Sequence, residues 1–317
     1  MNTAAGGAAA GGTAPVKPAS PANPLKLRSM LFVPADSERK LAKSESSPAD
    51  VLILDLEDSV AEARKAGARG TAAAFIGAQA TKLIAQTGTR LFVRINPLDS
   101  GLAMGDLAAV VVPGLAGIML PKTRSAADIV HLSHCLDALE ARAGMAPGSV
   151  RVVPVATETA EAMLTMQSFT GPIPRLAGIT WGAEDLSAAI GAMSNREEDG
   201  SYSALYILAR SLCLCAAAAT GVAPIETLHA DFRDSAGLAA ECRASRRRGF
   251  RGRMAIHPDQ VPIINQAYSP SAAELAHAQR IVDAFAAQPE AGTLSIDGMM
   301  IDKPHLTQAL RTLDLAR

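Results

Sequence analysis

The chain has 317 residues, 49% of them apolar, with a formal net charge of −1. A near-neutral balance excludes a sequence-independent nucleic-acid binder, and an aromatic content of 3% excludes a base-stacking platform. The most apolar helical stretch, "LYILARSLCLCAAAATGVA", is interrupted by Arg210, so no membrane span is expected.

In chain order, residues 1–24 are rich in Gly, Ala and Pro and read as a disordered tail. From Leu27 onward, short apolar runs alternate with helical stretches. Strands are predicted at "SMLFVP" (29–34), "VLILDL" (51–56), "LFVRIN" (91–96), "GIMLPK" (117–122), "VRVVPV" (150–155), "LAGITW" (176–181), "PIETLH" (224–229) and "GRMAIHP" (252–258). Helices are predicted over 61–86, 125–143, 158–168, 201–220 and 235–248. Continuous apolar strands separated by helices imply a parallel sheet covered on both faces. Eight such units within 25–270 fit an α/β fold of the (β/α)8 TIM-barrel type, followed by a helical extension over 271–317. No G-x-G-x-x-G follows the first strand, which argues against a dinucleotide fold. Cys135, Cys213, Cys215 and Cys242 show no CxxC spacing and read as small buried apolar residues of a reducing, cytoplasmic compartment.

Barrel chemistry sits at the C-terminal ends of the strands. Those ends carry Asp55, Glu57 and Asp58, then Arg94 and Asn96, Lys122, Glu158, Glu184 and Asp185, and His257. Such a concentration of ionisable groups on one rim predicts a charged mouth. Glu158 and Asp185 end neighbouring strands, where two carboxylates repel unless a proton or cation lies between them. Magnesium suits such a pair; capping of the next helix is the alternative for each. Adjacent residues in extended chain point opposite ways, so one of Glu184 and Asp185 is expected to coordinate directly.

Arg94 would hold a substrate carboxylate or oxyanion, or pair with Asp55–Asp58. Lys122 would be a solvated lysine or a Schiff-base nucleophile. His257, before Pro258, suits a structural hydrogen bond. The run "RRRGFRGR" (Arg246 to Arg253) suits either the basic end of a helix or a site for a phosphate-bearing anion.

"RSMLFVPADSERKLAKS…ADVLILDLEDSV", "FVRIN", "IMLPK", "ATETA", "WGAEDL", "AIHPDQV" and "DGMMIDKPH" occur in the order seen in citrate lyase beta-subunit-like proteins. From Leu27 to Arg317 the chain resembles the HpcH/HpaI aldolase/citrate lyase family, which includes malyl-CoA and citramalyl-CoA lyases. The resemblance implies a magnesium-dependent carbon–carbon lyase cleaving a 3-hydroxyacyl thioester (citryl-, malyl- or citramalyl-CoA) to acetyl-CoA and a 2-oxo acid. It implies Mg2+ ligands at Glu158 and Asp185, and substrate contacts from Arg94 and Glu158. It also implies that Asp302 of the "MID" motif is an acid/base supplied to a neighbouring subunit's active site, within a homotrimer or homohexamer. Two alternatives stand beside it: a component of a multi-subunit citrate lyase acting on an acyl-carrier-protein thioester, and a metal-independent Schiff-base aldolase through Lys122.

Overall fold

The computed structural model describes residues 25–316, so the tail expected over 1–24 lies outside the described residues. Eight parallel strands alternate with helices: β1 (Ser29–Pro34), α1 (Glu38–Ser44), β2 (Val51–Asp55), α2 (Lys65–Thr87), β3 (Arg90–Arg94), α3 (Ala103–Val110), β4 (Leu115–Leu120), α4 (Ala126–Arg142), β5 (Arg151–Pro154), α5 (Ala160–Thr165), β6 (Gly178–Thr180), α6 (Glu184–Ile190), α7 (Ala204–Thr220), β7 (Ala223–Glu226), α8 (Ser235–Arg248), β8 (Gly252–Ala255) and α9 (Gln260–Tyr268). The sheet runs β5-β4-β3-β2-β1-β8-β7-β6. Its two free edges meet through the parallel bridges Val152–Leu176 and Val155–Thr180, which close the (β/α)8 barrel.

The helix boundaries follow from local chemistry. Thr159, Ser125 and Asp234 accept backbone N–H groups at the starts of α5, α4 and α8. Gly88, at φ +76°, stops the 23-residue α2 in a left-handed turn that only glycine adopts freely.

Strand residues alternate between two cores. Met30, Val51, Ile53, Phe92, Met119, Val153, Ile225 and Met254 fill the barrel interior. A larger shell, including Leu31, Leu52, Leu54, Val93, Ile118 and Ile179, packs the strands against the helices. Gly117 makes the interior possible: a Cβ there would lie 2.3 Å from the Phe92 ring. Opposite the mouth, Arg175 holds the β5–β6 seam. Its guanidinium is buried against Glu140, Asp137, the Ser133 hydroxyl and the Val150 carbonyl, tying α4 to the barrel where the seam has only isolated bridges.

After the barrel come α10 (Ala272–Ala287), β9 (Thr293–Ile296), β10 (Met299–Asp302) and α11 (Lys303–Asp314). The expected helical extension is therefore corrected: a β-hairpin interrupts it. The hairpin's signal was the "DG" at Asp297–Gly298, both at positive φ as a tight hairpin turn requires. Ala278, Ile281, Phe285, Ile301 and Ala309 give the extension a small core of its own. Among the described residues no helix is long and apolar enough to cross a membrane. The cysteines are free. Cys213 and Cys242 are buried as expected, whereas Cys215 is exposed and Cys135 half-buried.

Candidate active site

The C-terminal strand ends bring together most of the rim residues the sequence singled out. Arg94, leaving β3, donates from Nε and Nη2 to the two oxygens of Asp55 at 2.7 Å each. Asp55 also accepts the Glu57 and Ser59 N–H groups. Burial pushes the Asp55 carboxyl pKa up, but the Arg94 fork outweighs it and the pKa ends below the ordinary value. Arg94 Nη1 also lies 2.9 Å from Glu57 and 3.3 Å from Asp58, and its guanidinium sits 4.7 Å from the Phe32 ring centroid. Of the two roles open to Arg94, pairing with the β2 acids is the one this geometry contains, although Arg94 also lines the mouth cavity.

Lys122 joins the two halves of the rim. Its ammonium lies 2.6 Å from Glu57 and 3.0 Å from Asp185, and its backbone N–H donates to Glu158 Oε2 at 2.5 Å. The backbone at Lys122 is left-handed, with φ +48°. Partial burial alone would lower its pKa, but Glu57 and Asp185 more than offset this and raise it. A Schiff-base nucleophile needs a lysine that loses its proton easily. Lys122 is held in its charged form, so the geometry lends the Schiff-base reading no support.

Neither acid makes a side-chain cap, although Glu184 and Asp185 lie in the first turn of α6, where the helix dipole favours negative charge. Thr159 caps α5, and Ala183 occupies the cap position before α6. Glu158 is instead 5% exposed, and burial together with the facing Asp185 pushes its carboxyl to about 8. Burial likewise raises Glu57 to about 7. Of the adjacent pair, Asp185 turns towards Lys122, whereas Glu184 is exposed and accepts from Asn195 Nδ2 at 2.9 Å. Gly182 is the residue that lets Glu158 in: a Cβ there would stand 2.7 Å from Glu158 Cγ.

The rim thus gathers Asp55, Glu57, Asp58, Glu158 and Asp185 around only Arg94 and Lys122. Five acids around two bases leave a surplus of carboxyl groups, and burial beside Asp185 raises the Glu158 pKa further than Lys122 offsets it. A divalent cation with oxygen preference fits that pair, because it needs one or two carboxylates and completes its shell with water and substrate. Among the described residues there is no cluster of three or more His, Cys, Asp or Glu arranged as a closed metal cage. Asp55, Arg94, Glu158 and Asp185 line a cavity of about 380 Å³ floored by Trp181, Met254 and Ile256.

Three predicted residues lie outside this cluster. Asn96 donates to Asp106 and the Leu56 carbonyl and accepts from Lys65, so it braces the β3 exit. His257 stacks on Phe232 at 4.8 Å and accepts the Asp259 N–H, a structural role. Asp302 caps α11 and pairs with His305 at 2.5 Å on the extension; it does not line this chain's own mouth cavity.

Sequence reasoning missed one feature. Arg39, Lys40 and Lys43 on or beside α1 line a second cavity of about 540 Å³, which shares Phe32, Ser59 and Ile256 with the mouth. The signal was available in "SERKLAKS", which directly follows the first strand end. Trp181 also has a clear role. Its indole N–H donates to the buried Glu226, which Arg210 neutralises from the other side.

A (β/α)8 barrel with a charged, carboxylate-rich mouth defines a class of enzyme scaffold. Residues 28–258 match the family model described as HpcH/HpaI aldolase/citrate lyase. The chain is 37% identical over 279 residues to a citrate lyase subunit beta-like protein of Mycobacterium tuberculosis, covering 88% of this chain and 92% of that one. It is 34% identical over 291 residues to a (3S)-malyl-CoA thioesterase of Cereibacter sphaeroides, covering 90% and 93%. The M. tuberculosis protein CitE, solved in complex with magnesium, acetoacetate and coenzyme A, superposes with a TM-score of 0.71 at 34% identity over 92% of this chain and 98% of that one. The chain belongs to the HpcH/HpaI aldolase/citrate lyase family.

Proposed function

We propose that the protein is a magnesium-dependent carbon–carbon lyase that splits a 3-hydroxyacyl-CoA thioester of the citryl, malyl or citramalyl type into acetyl-CoA and a 2-oxo acid. The observation that carries this reading is the surplus of carboxylates at Glu158 and Asp185, beside an arginine and next to a basic annex. Glu158 and Asp185 would hold Mg2+, which, when bound, supplies Lewis-acid polarisation of the substrate's oxygens. The relative solved with magnesium, acetoacetate and coenzyme A supports magnesium dependence and a CoA ligand.

The chain's own residues account for the remaining tasks. Arg94, fixed in orientation by its two bonds to Asp55, would stabilise charge developing on substrate oxygens by exchanging its Nη1 contacts with Glu57 and Asp58 for the substrate. Lys122 keeps Glu57 and Asp185 apart in charge and fixes Glu158 through its N–H. In cleavage the substrate hydroxyl gives its proton to solvent water, its oxygen forms the carbonyl of the 2-oxo acid, and the bond from its carbon to the thioester α-carbon breaks. The electron pair passes to the thioester as an enolate. Asp302 from a neighbouring subunit would return a proton to that α-carbon. In the isolated chain, hydrogen bonding from His305 holds the Asp302 carboxyl below its ordinary range. Docking against a mouth with surplus carboxylates would raise it towards an acid able to donate. Such sharing requires a homo-oligomer, and the family resemblance makes it a homotrimer or homohexamer.

The annex suits the thioester's carrier. Arg39, Lys40 and Lys43 form a basic rim for phosphates, above apolar Phe32 and Ile256 on the path to the carboxylates. The test is a panel of citryl-, malyl- and citramalyl-CoA with and without Mg2+, following oxaloacetate, glyoxylate, pyruvate and free thiol. A 2-oxo acid formed with magnesium supports the lyase. Free thiol without any 2-oxo acid would replace it by the thioesterase chemistry named for the C. sphaeroides relative. Inactivity on the whole CoA panel would transfer support to a citrate lyase component that needs an acyl-carrier-protein thioester.

A further inference from the structure

The arginine run singled out in the sequence is only partly used by its helix. Arg246, Arg247 and Arg248 lie in the last turn of α8, where the helix dipole favours positive charge. That explanation does not reach Arg251, which follows the helix and leads into β8, or Arg311, which comes from α11 of the extension. Yet Arg243, Arg246, Arg247, Arg251 and Arg311 line one cavity of about 450 Å³, with Glu274 as its one acid. Glu274 is already engaged by Arg246 at 3.1 Å and by the cap of α10. Among the described residues Arg243, Arg247, Arg251 and Arg311 make no ion pair within 4.0 Å. Arg251 is half-buried; burial first, and then the nearby Arg311, disfavour its charge, while Asp314 partly offsets them. Five arginines against Glu274 and the nearby Asp314 leave this concave surface with surplus positive charge, which a bound anion would relieve.

The cavity also lies at the opposite end of the barrel from the mouth. The last turn of α8 and Arg251 precede β8, so they sit at the N-terminal strand ends, whereas Asp55, Glu158 and Asp185 follow the C-terminal ends. We propose that this chamber between barrel and extension binds a multiply charged phosphate compound, such as a pyrophosphate or nucleoside polyphosphate, separately from the catalytic mouth. Arginine forks match phosphate oxygens in pairs, and Gln308 and Thr312 of α11 add neutral donors on the wall that carries Arg311. Bridging Arg251 of the barrel with Arg311 of the extension would clamp α11 in place.

The test uses the full chain without added divalent metal. Calorimetric titration and thermal unfolding are run with pyrophosphate and ATP against sodium chloride of equal ionic strength. Three proteins are compared: wild type, Arg251→Gln/Arg311→Gln, and Lys40→Gln/Lys43→Gln in the annex. The proposal predicts saturable binding and a raised melting temperature in wild type and in the annex variant. It predicts binding at least roughly tenfold weaker in the Arg251→Gln/Arg311→Gln protein, since each lost charge-assisted hydrogen bond removes about that factor. That variant, relieved of repulsion, should melt no lower than wild type when anion is absent. A response equal to that of chloride, or one lost in the annex variant and kept in the Arg251→Gln/Arg311→Gln protein, overturns the proposal. If pyrophosphate alone binds, the source is a free phosphate rather than a nucleotide, and the site stands.

Discussion

Gly182 and Glu158 are in such close contact that a methyl group on the first would stand 2.7 Å from Cγ of the second. The glycine after Trp181 therefore sets where the buried Glu158 carboxylate lies. Gly182→Ala should fold, because only Glu158 and its neighbours need to yield, but Glu158 should be displaced. A misplacement of about 1 Å typically costs about 10²-fold in turnover. Steady-state kinetics with an unchanged circular dichroism spectrum would bear this out; full activity would show that Glu158 tolerates the shift.

Arg94 holds Asp55 through two parallel hydrogen bonds, a geometry that a lysine cannot reproduce. Arg94→Lys should keep the charge and lose about 10²–10³-fold in kcat/KM, as removal of one preorganised electrostatic contact does. Activity within threefold of wild type would mean that charge alone suffices there.

Asp302 and Asp185 would meet only across subunits. Asp302→Asn and Asp185→Asn should each be nearly inactive alone. Mixed by reversible dissociation at equal amounts, they should recover about one quarter of the wild-type sites, those pairing an intact cation face with an intact extension. No recovery in proven mixed oligomers would place Asp302 outside the reaction.

Glu140 and Arg175 make a buried ion pair beneath the seam of the barrel. Burial alone would raise the Glu140 pKa, but Arg175 and the Val150 and Gly148 N–H groups pull it down to about 2. A carboxyl lowered on folding stabilises the fold above its ordinary value of about 4.5, and that stability disappears as pH falls towards 2. Glu140→Gln should cost about 3 kcal/mol at pH 7, as breaking a buried pair does. Its gap from wild type should shrink below about pH 4. Urea unfolding across pH 3–7 measures both; a gap independent of pH would contradict the pairing.

The sequence patterns differ in how far they predicted the fold. The strand "SMLFVP" and the helix 235–248 match β1 and α8 residue for residue, because apolar content and caps coincide there. "LFVRIN" and "LAGITW" overrun their strands at one or both ends. Pairing stops at Arg94 and Thr180, after which the chain turns to present the rim side chains. Glu158, Asp185 and Arg94 were legible because a barrel rule assigns strand ends to one rim. Their partners were not. Periodicity does not say that Lys122 would span Glu57 and Asp185, and for Arg94 it offered Asp55–Asp58 only as one of two roles; the choice depends on tertiary register. The annex lysines went unread because amphipathic α1 looks like any surface helix.

The most direct test is the metal dependence of thioester cleavage in wild type and in Asp185→Asn. Wild-type turnover should vanish with EDTA and return saturably with Mg2+. Asp185→Asn should remain about 10²–10³-fold slower at any Mg2+ concentration while keeping its fold. EDTA-resistant cleavage by the wild type, or an Asp185→Asn protein with undiminished magnesium-dependent turnover, would contradict the account.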